Sequence, residues 1–304
     1  MLTRRLILSL ARSPALRRFV RRYGMRLGAA RFVAGETLDE CVAVLRRLNA
    51  AGLMTNTTLL GEEVHDAATA RQVTDTYLVV LDRIAQENLI TNLAVKLSHL
   101  GLALGEEEAY RNVRRLAEHA VRRGNFVRMD MEDSAKVDAT LRIYRRLRAE
   151  EFTNVGAVLQ SYLYRTEADL EALLPLRPNL RLVKGAYLEP PDVAFPRKTD
   201  VDRNFIRLME RMLPEAGYTA IATHDDRIIA RAIAFITERR IPGDRFEFQM
   251  LYGVRPTLQL DLVRRGFRVR VATPYGPDWY PYLMRRLAER PANVLFMLRN
   301  LLRR

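Results

Sequence analysis

A (βα)8, TIM-like barrel of the α/β class is the fold this sequence predicts, and three observations predict it. Short apolar runs rich in β-branched residues alternate with amphipathic helical stretches; the alternation occurs eight times; and nothing in the composition marks a second domain within 304 residues of 48% hydrophobic content. Strands separated by helices pair in parallel through crossovers, and eight such units close on themselves. A chain of this length can bury one core of that size.

The elements follow in order. Residues 1–35 mix Leu, Ile and Phe with arginine and carry no acid before Glu36, which makes them a basic amphipathic segment interrupted at Pro14. They read as a pair of helices docked on the domain, with contact to an anionic membrane surface as the sharper alternative and a transit peptide as the third. Residues 36–304 form the barrel, opened by a capping box of Thr37 and Glu40. The strand runs are "LMTNTTLLGE", "NLAVKLS", "FVRMDME", "VGAVLQSY", "LRLVKGAY", "YTAIATHD", "RFEFQMLYG" and "FRVRVATPYG". Helical periodicity fills Thr69 to Gln86, Ala135 to Ala149, Val201 to Leu213 and Arg227 to Arg239, and a second capping box is expected at Thr166 and Asp169.

Active sites of such barrels lie at the carboxyl ends of the strands. The residues there are Glu62, Lys96, Asp130, Glu132, Gln160, Arg181, Lys184, Thr223, His224, Gln249, Thr273 and Tyr275. Cations, carboxylates, a glutamine and a histidine meet in this set. There is no GxSxG elbow and no GxGxxG fingerprint, and His65, His99, His119 and His224 lack ligand spacing, so no metal is expected. The element "VKGAY" places a lysine, a glycine and an alanine just after a buried strand, where exposed N–H groups suit a phosphate or a flat ring.

Charge narrows the partners. The net charge is +14, but of the 50 basic residues only Lys96, Lys136, Lys184 and Lys198 are lysines. Arginine is thus the background cation, scattered along helices with no basic block interleaved with aromatics, and no nucleic-acid partner is expected. A lysine retained in that background has a reason to be one. Cys41 is alone, which excludes a disulfide framework and fits a reducing, cytoplasmic compartment. No uncharged apolar run reaches the length of a membrane span. Eleven Arg-Arg pairs occur, so Arg285 and Arg286 in "PYLMRRLAE" are not special as a pair.

The segments "VKLS", "DMEDS", "LQSYLY", "RLVKGAY", "ATHD", "FEFQMLYG" and "PYLMRRLAE", in this order, resemble those of the proline dehydrogenase family, and the resemblance runs from about Gly35 to Pro291. It implies a distorted barrel with the last helix over its mouth. It also implies FAD at the strand ends, oxidation of L-proline to Δ1-pyrroline-5-carboxylate, and electron delivery to a membrane quinone, with the enzyme in the cytoplasm or peripheral on the inner face of the membrane. The length is that of the monofunctional bacterial enzymes. By the same resemblance Arg285 and Arg286 grip the proline carboxylate with Lys96, while Asp130 holds Lys96 and Arg181 in place. Arg181 sits beside the flavin N5. Gln160, Lys184, Gly185, Ala186, Thr223, His224 and Glu289 fall at cofactor-binding positions, Glu289 also being one turn on from Arg285. Leu182 and Tyr187 wall the substrate pocket, and Glu62 pairs with Arg285 as a gate.

One position departs from the pattern. Ala272 stands where the family usually has a tyrosine over the substrate ring, so a member tolerant of hydroxyproline is the alternative within the family. Two readings come from other classes: a lysine Schiff-base lyase using Lys96 or Lys184, and a basic nucleic-acid-binding protein.

Overall fold

The computed structural model describes residues 13–61 and 63–289. The first described helix, α1 (Pro14–Leu27), begins at Pro14, whose missing N–H costs nothing at a helix's first position. Pro14 therefore starts a helix; the expected helix ahead of it lies outside the described residues. After α2 (Leu38–Ala50) come β1 (Met54–Leu59), α3 (Ala67–Gln86), β2 (Thr91–Lys96), α4 (Glu106–Arg122), β3 (Val127–Asp130), α5 (Val137–Ala149) and β4 (Val155–Gln160). The series continues with α6 (Thr166–Leu173), β5 (Asn179–Val183), α7 (Lys198–Glu215), β6 (Tyr218–Ala222), α8 (Asp226–Glu238), β7 (Phe246–Leu251), α9 (Pro256–Arg264), β8 (Val269–Tyr275) and α10 (Trp279–Glu289). The strands form a closed parallel barrel in chain order, β8 pairing with β1.

Local chemistry accounts for the elements. The Thr37–Glu40 capping box forms, with the Thr37 side chain accepting from the Glu40 N–H and the Glu40 carboxylate accepting from the Thr37 N–H at 3.0 Å. Along α4, Ala109, Val113, Leu116, Ala117 and Ala120 are all fully buried, one stripe of a helix whose other face carries charge. The second expected capping box does not form. The Thr166 hydroxyl donates to the Gln160 carbonyl at 2.5 Å, and Asp169 pairs with Arg165 at 2.8 Å, so neither side chain is available to the other's backbone.

The strand register determines what meets inside. It pairs Ala272 with Asn56, Asn56 with Asn92, Arg181 with Ala220 and Gln249 with Arg270. Followed once round the barrel, the pairings shift by eight residues, the stagger that stacks inward side chains in layers of four from alternate strands. Asn56, Arg128, Arg181 and Gln249 make one layer. Ala94, Val158, Ala222 and Ala272 make the next toward the mouth. Three alanines and a valine make this a layer of small side chains above a polar floor. Below that floor the Arg270 guanidinium pairs with Glu247 at 2.9 Å, both side chains buried.

Among the described residues two apolar cores result. The larger lies between barrel and helices; the second gathers Phe32, Val33, Leu60, Trp279, Tyr280 and Leu283, and so ties α10 to the chain ahead of α2 and to the end of β1. Helix α1 packs on α10 at Gly24, where a Cβ would come within 2.7 Å of the Trp279 ring. Its arginines reach the start of α10 as well: Arg17 lies 6.0 Å from the Tyr280 ring centre, and Arg21 is 3.9 Å from Asp278, the residue just before α10. Among the described residues, no helix is long and apolar enough to cross a membrane.

Candidate active site

Lys96 is the last residue of β2, and its ammonium lies close enough to Arg285 and Arg286 of α10 to feel both. Its pKa is lowered by burial first and then by Arg285 and Arg286, against the opposing pull of Glu132 and Asp130. Three cations therefore converge where α10 crosses the mouth. The Tyr187 phenol belongs to the same group: burial pushes its pKa up, Glu132 and Asp130 add to the effect, and Arg285 opposes it. A half-buried set of three cations beside a neutral phenol suits a small ligand with a carboxylate, which guanidinium groups grip in bidentate fashion.

Beneath the cations, Asp130 at the end of β3 forms an ion pair with Arg181 of β5. Arg181 is buried, and its Nη1 also donates to the Gln249 side-chain oxygen at 3.3 Å, while its buried Nε has no hydrogen-bond partner. Glu132 accepts from the Ser98 N–H at 2.9 Å and from its hydroxyl at 2.5 Å, which secures the turn just after Lys96.

The opposite side of the mouth holds the residues around β4 to β6. Gln160 ends β4 and donates from Nε2 to the Glu132 carbonyl at 2.9 Å. Lys184 follows β5 and lies between Asp202 at 2.5 Å and Asp225 at 3.0 Å. Burial raises the Asp225 pKa, but Lys184 and the Arg227 N–H outweigh it and hold the carboxyl at about 2. Gly185 has φ +115° and faces the Tyr162 ring with no room for a Cβ, so the backbone from Lys184 to Ala186 passes as a bare ribbon. Thr223 is buried and accepts from the Asp225 N–H at 3.2 Å. The His224 Nε2 accepts from the Leu251 N–H at 2.9 Å, which leaves the ring's proton on Nδ1.

Not every expected residue falls in the mouth. Leu182 is 0% exposed and joins the outer core: β5 alternates, and Arg181 takes the inward direction on one side of it. The expected pocket wall at Leu182 is thus corrected to a packing residue between barrel and helices. Ala272 does point inward, in register with Asn56, whose buried side-chain oxygen has no hydrogen-bond partner. Glu62 lies outside the described residues, as does the side chain of Glu289, the final residue of α10. No group of three or more His, Cys, Asp or Glu side chains that could hold a metal occurs among the described residues.

Several contacts were not assigned from sequence. Gln249 and Glu132 stand at strand ends without an evident role there, and the counter-ions of Lys184 come from two separate elements, Asp202 from the first turns of α7 and Asp225 from the N-cap of α8. His99 packs so closely on Gly61 that no Cβ fits, which explains the glycine in "LLGE". Burial first, and the Lys96 charge second, lower the His99 pKa to about 4.

The family model described as "Proline dehydrogenase" matches residues 41–299. "Proline dehydrogenase 1" of Bacillus subtilis is 44% identical over 301 residues, covering 99% of each chain. "Proline dehydrogenase" of Deinococcus radiodurans is 41% identical over 306 residues, 99% of this chain and 98% of that one. Among solved structures, proline utilization A (PutA) from Bdellovibrio bacteriovorus inactivated by N-propargylglycine superposes with a TM-score of 0.80 at 25% identity, over 86% of this chain and 32% of that chain. The present chain thus spans about a third of that longer protein. With matches of this extent, the chain belongs to the proline dehydrogenase family.

Proposed function

We propose that this chain oxidises L-proline to Δ1-pyrroline-5-carboxylate, with FAD at the strand ends and a membrane quinone as the final acceptor. The observation that carries the reading is the convergence of Lys96, Arg285 and Arg286 above the Asp130–Arg181 pair. The donor set fits a flavin nucleotide. The buried Arg181 Nε lacks an acceptor, the Gly185 ribbon admits close approach by a flat or phosphorylated group, and Lys184 lies beside it. Gln160, Thr223, His224 and Ala186, the residue after Gly185, complete the proposed cofactor contacts, with Glu289 at the end of α10.

Bound FAD would supply the two-electron acceptor for the hydride leaving C5 of the substrate. The protein's part is orientation and charge. Arg285, Arg286 and Lys96 hold the carboxylate, so the ring can lie in one pose. Asp130 holds Arg181 in place as a fixed positive group, suited to stabilising negative charge that develops beside it. Burial keeps the Tyr187 phenol neutral as a pocket wall. Glu62 is proposed to pair with Arg285 and close the mouth after binding. The exposed arginines of α1 are proposed to meet anionic lipid on the inner face of the membrane, bringing the mouth near quinone.

A second substrate is favoured by one observation: the buried, unpartnered Asn56 oxygen beside Ala272 could accept from a ring hydroxyl, so 4-hydroxyproline is proposed as an additional substrate. The test is anaerobic. Purified full-length protein should show a flavin spectrum that bleaches on addition of proline, with no adduct trapped by borohydride. A colourless protein, or a flavin unaffected by proline, overturns the reading.

A further inference from the structure

Arg181 is held on two sides by unlike groups. One is the carboxylate of Asp130; the other is the neutral amide of Gln249. That amide has its own anchor, because Gln249 Nε2 donates to Glu247 Oε1, and an ionised carboxylate has no proton to donate in return. Glu247 is fully buried, and although burial raises its pKa, Arg270 and Gln249 lower it overall. Arg270 Nε donates to both of its oxygens, at 2.9 and 3.0 Å, and the Tyr218 hydroxyl donates at 3.0 Å. Arg270 is fixed in turn by a 2.7 Å bond to the Thr55 carbonyl of β1.

The chain has a direction. With Nε2 committed to the carboxylate, the Gln249 oxygen must face Arg181; a flipped amide would set donor against donor at Arg181 and oxygen against oxygen at Glu247. Asp130 and Gln249 take the two terminal nitrogens of Arg181, leaving the Nε edge without a partner. An amide orients the guanidinium without cancelling its charge. A second carboxylate at this position would do both.

We infer that Gln249, with its polarity set by Glu247, is a positioning residue that fixes the Arg181 guanidinium plane while preserving the positive charge presented to the cofactor ring. This rests on the proposed placement of a flavin beside Arg181. It explains why the strand sequence "FEFQM" carries two inward polar residues in succession: Glu247 engages the ionic floor, and Gln249 transmits its geometry upward.

The test uses the full-length protein with its native flavin and two variants. Gln249→Glu keeps the shape and adds a charge; Gln249→Met keeps the length and removes the acceptor. Readouts are the flavin midpoint potential and the affinity for sulfite, which adds to an oxidised flavin ring and is favoured by positive charge beside it. Gln249→Glu should lower the potential and weaken sulfite binding about tenfold, the equivalent of about 1.4 kcal/mol. Gln249→Met should lower kcat for proline about tenfold with KM within about twofold, since it disturbs orientation without touching the carboxylate clamp. A variant that binds flavin with unchanged potential, sulfite affinity and kcat overturns the inference. If Gln249→Glu fails to fold, Gln249→Met decides the matter alone. Absence of flavin from the unmodified protein would instead sink the underlying functional reading.

Discussion

Ala272 and Asn56 lie side by side on neighbouring strands, both directed into the barrel, and that pair makes a quantitative prediction about substrate choice. The Asn56 oxygen is buried with no partner, so folding has already incurred its desolvation, of about 1–3 kcal/mol. A ligand hydroxyl donating to it would recover about 1 kcal/mol net, close to a fivefold change in kcat/KM. Two substitutions test this from opposite directions. Asn56→Leu removes the acceptor in a similar volume; it should lower the ratio of kcat/KM for 4-hydroxyproline over proline about fivefold while sparing proline. Ala272→Tyr places a large ring at this position; it should improve proline turnover and depress the same ratio by about tenfold, because a phenol ring excludes a substituted one. The assay is steady-state reduction of a soluble dye with each substrate. If both variants leave the ratio unchanged, the space between Ala272 and Asn56 does not face the substrate ring and the reasoning fails.

Other outcomes are expected. Arg286→Lys keeps the cation but loses the planar fork, so KM for proline should rise about tenfold with flavin content unchanged; an unaltered KM would remove Arg286 from the clamp. His99 should make stability pH-dependent. It stays neutral in the folded chain down to about 4 but protonates near 6.5 when unfolded, so protons favour the unfolded state across that window and stability should fall by about 3 kcal/mol as pH drops through it. Urea midpoints at pH 7 and pH 4.5 should show this dependence in the unmodified protein and a flatter one in His99→Asn; equal slopes would refute it. Removal of residues 1–30 should reduce binding to anionic vesicles and leave proline-dependent dye reduction measurable, whereas equal vesicle binding would confine α1 to a structural role.

What was legible in the sequence and what was not have different physical origins. Strands and helices carry their periods locally, so "VGAVLQ" reads as β4 without help from any partner. Lys96, Asp130 and Gln160 are visible for the same reason, since each ends its strand. The side a residue faces is less secure: "RLV" contains an inward Arg181 and an outward Leu182, and only the pairing with Ala220 and Ile221 distinguishes them. Thr166 and Asp169 have the right spacing for a cap, yet each bonds elsewhere because Gln160 and Arg165 are nearer. Contacts between segments far apart in the chain leave no local pattern at all. The fit of His99 against Gly61, the two carboxylates around Lys184 and the line from Glu247 to Arg181 appear only when the barrel closes.

The separate apolar cluster under α10 has a consequence for how the site opens. Helix α10 carries both clamp arginines, but its apolar residues, from Trp279 to Leu287, belong to the smaller cluster shared with Phe32 and Val33. Clusters that share few contacts open as distinct cooperative units, each with its own free energy. Amide hydrogen exchange should therefore be faster in α10 and α1 than in β1 to β8, and both helices should slow together when a carboxylate ligand is bound. By mass action a ligand gripping Arg285 and Arg286 also tightens the seat of Gly24 on Trp279. Occupancy of the mouth and attachment of the first helix are then two measures of one equilibrium.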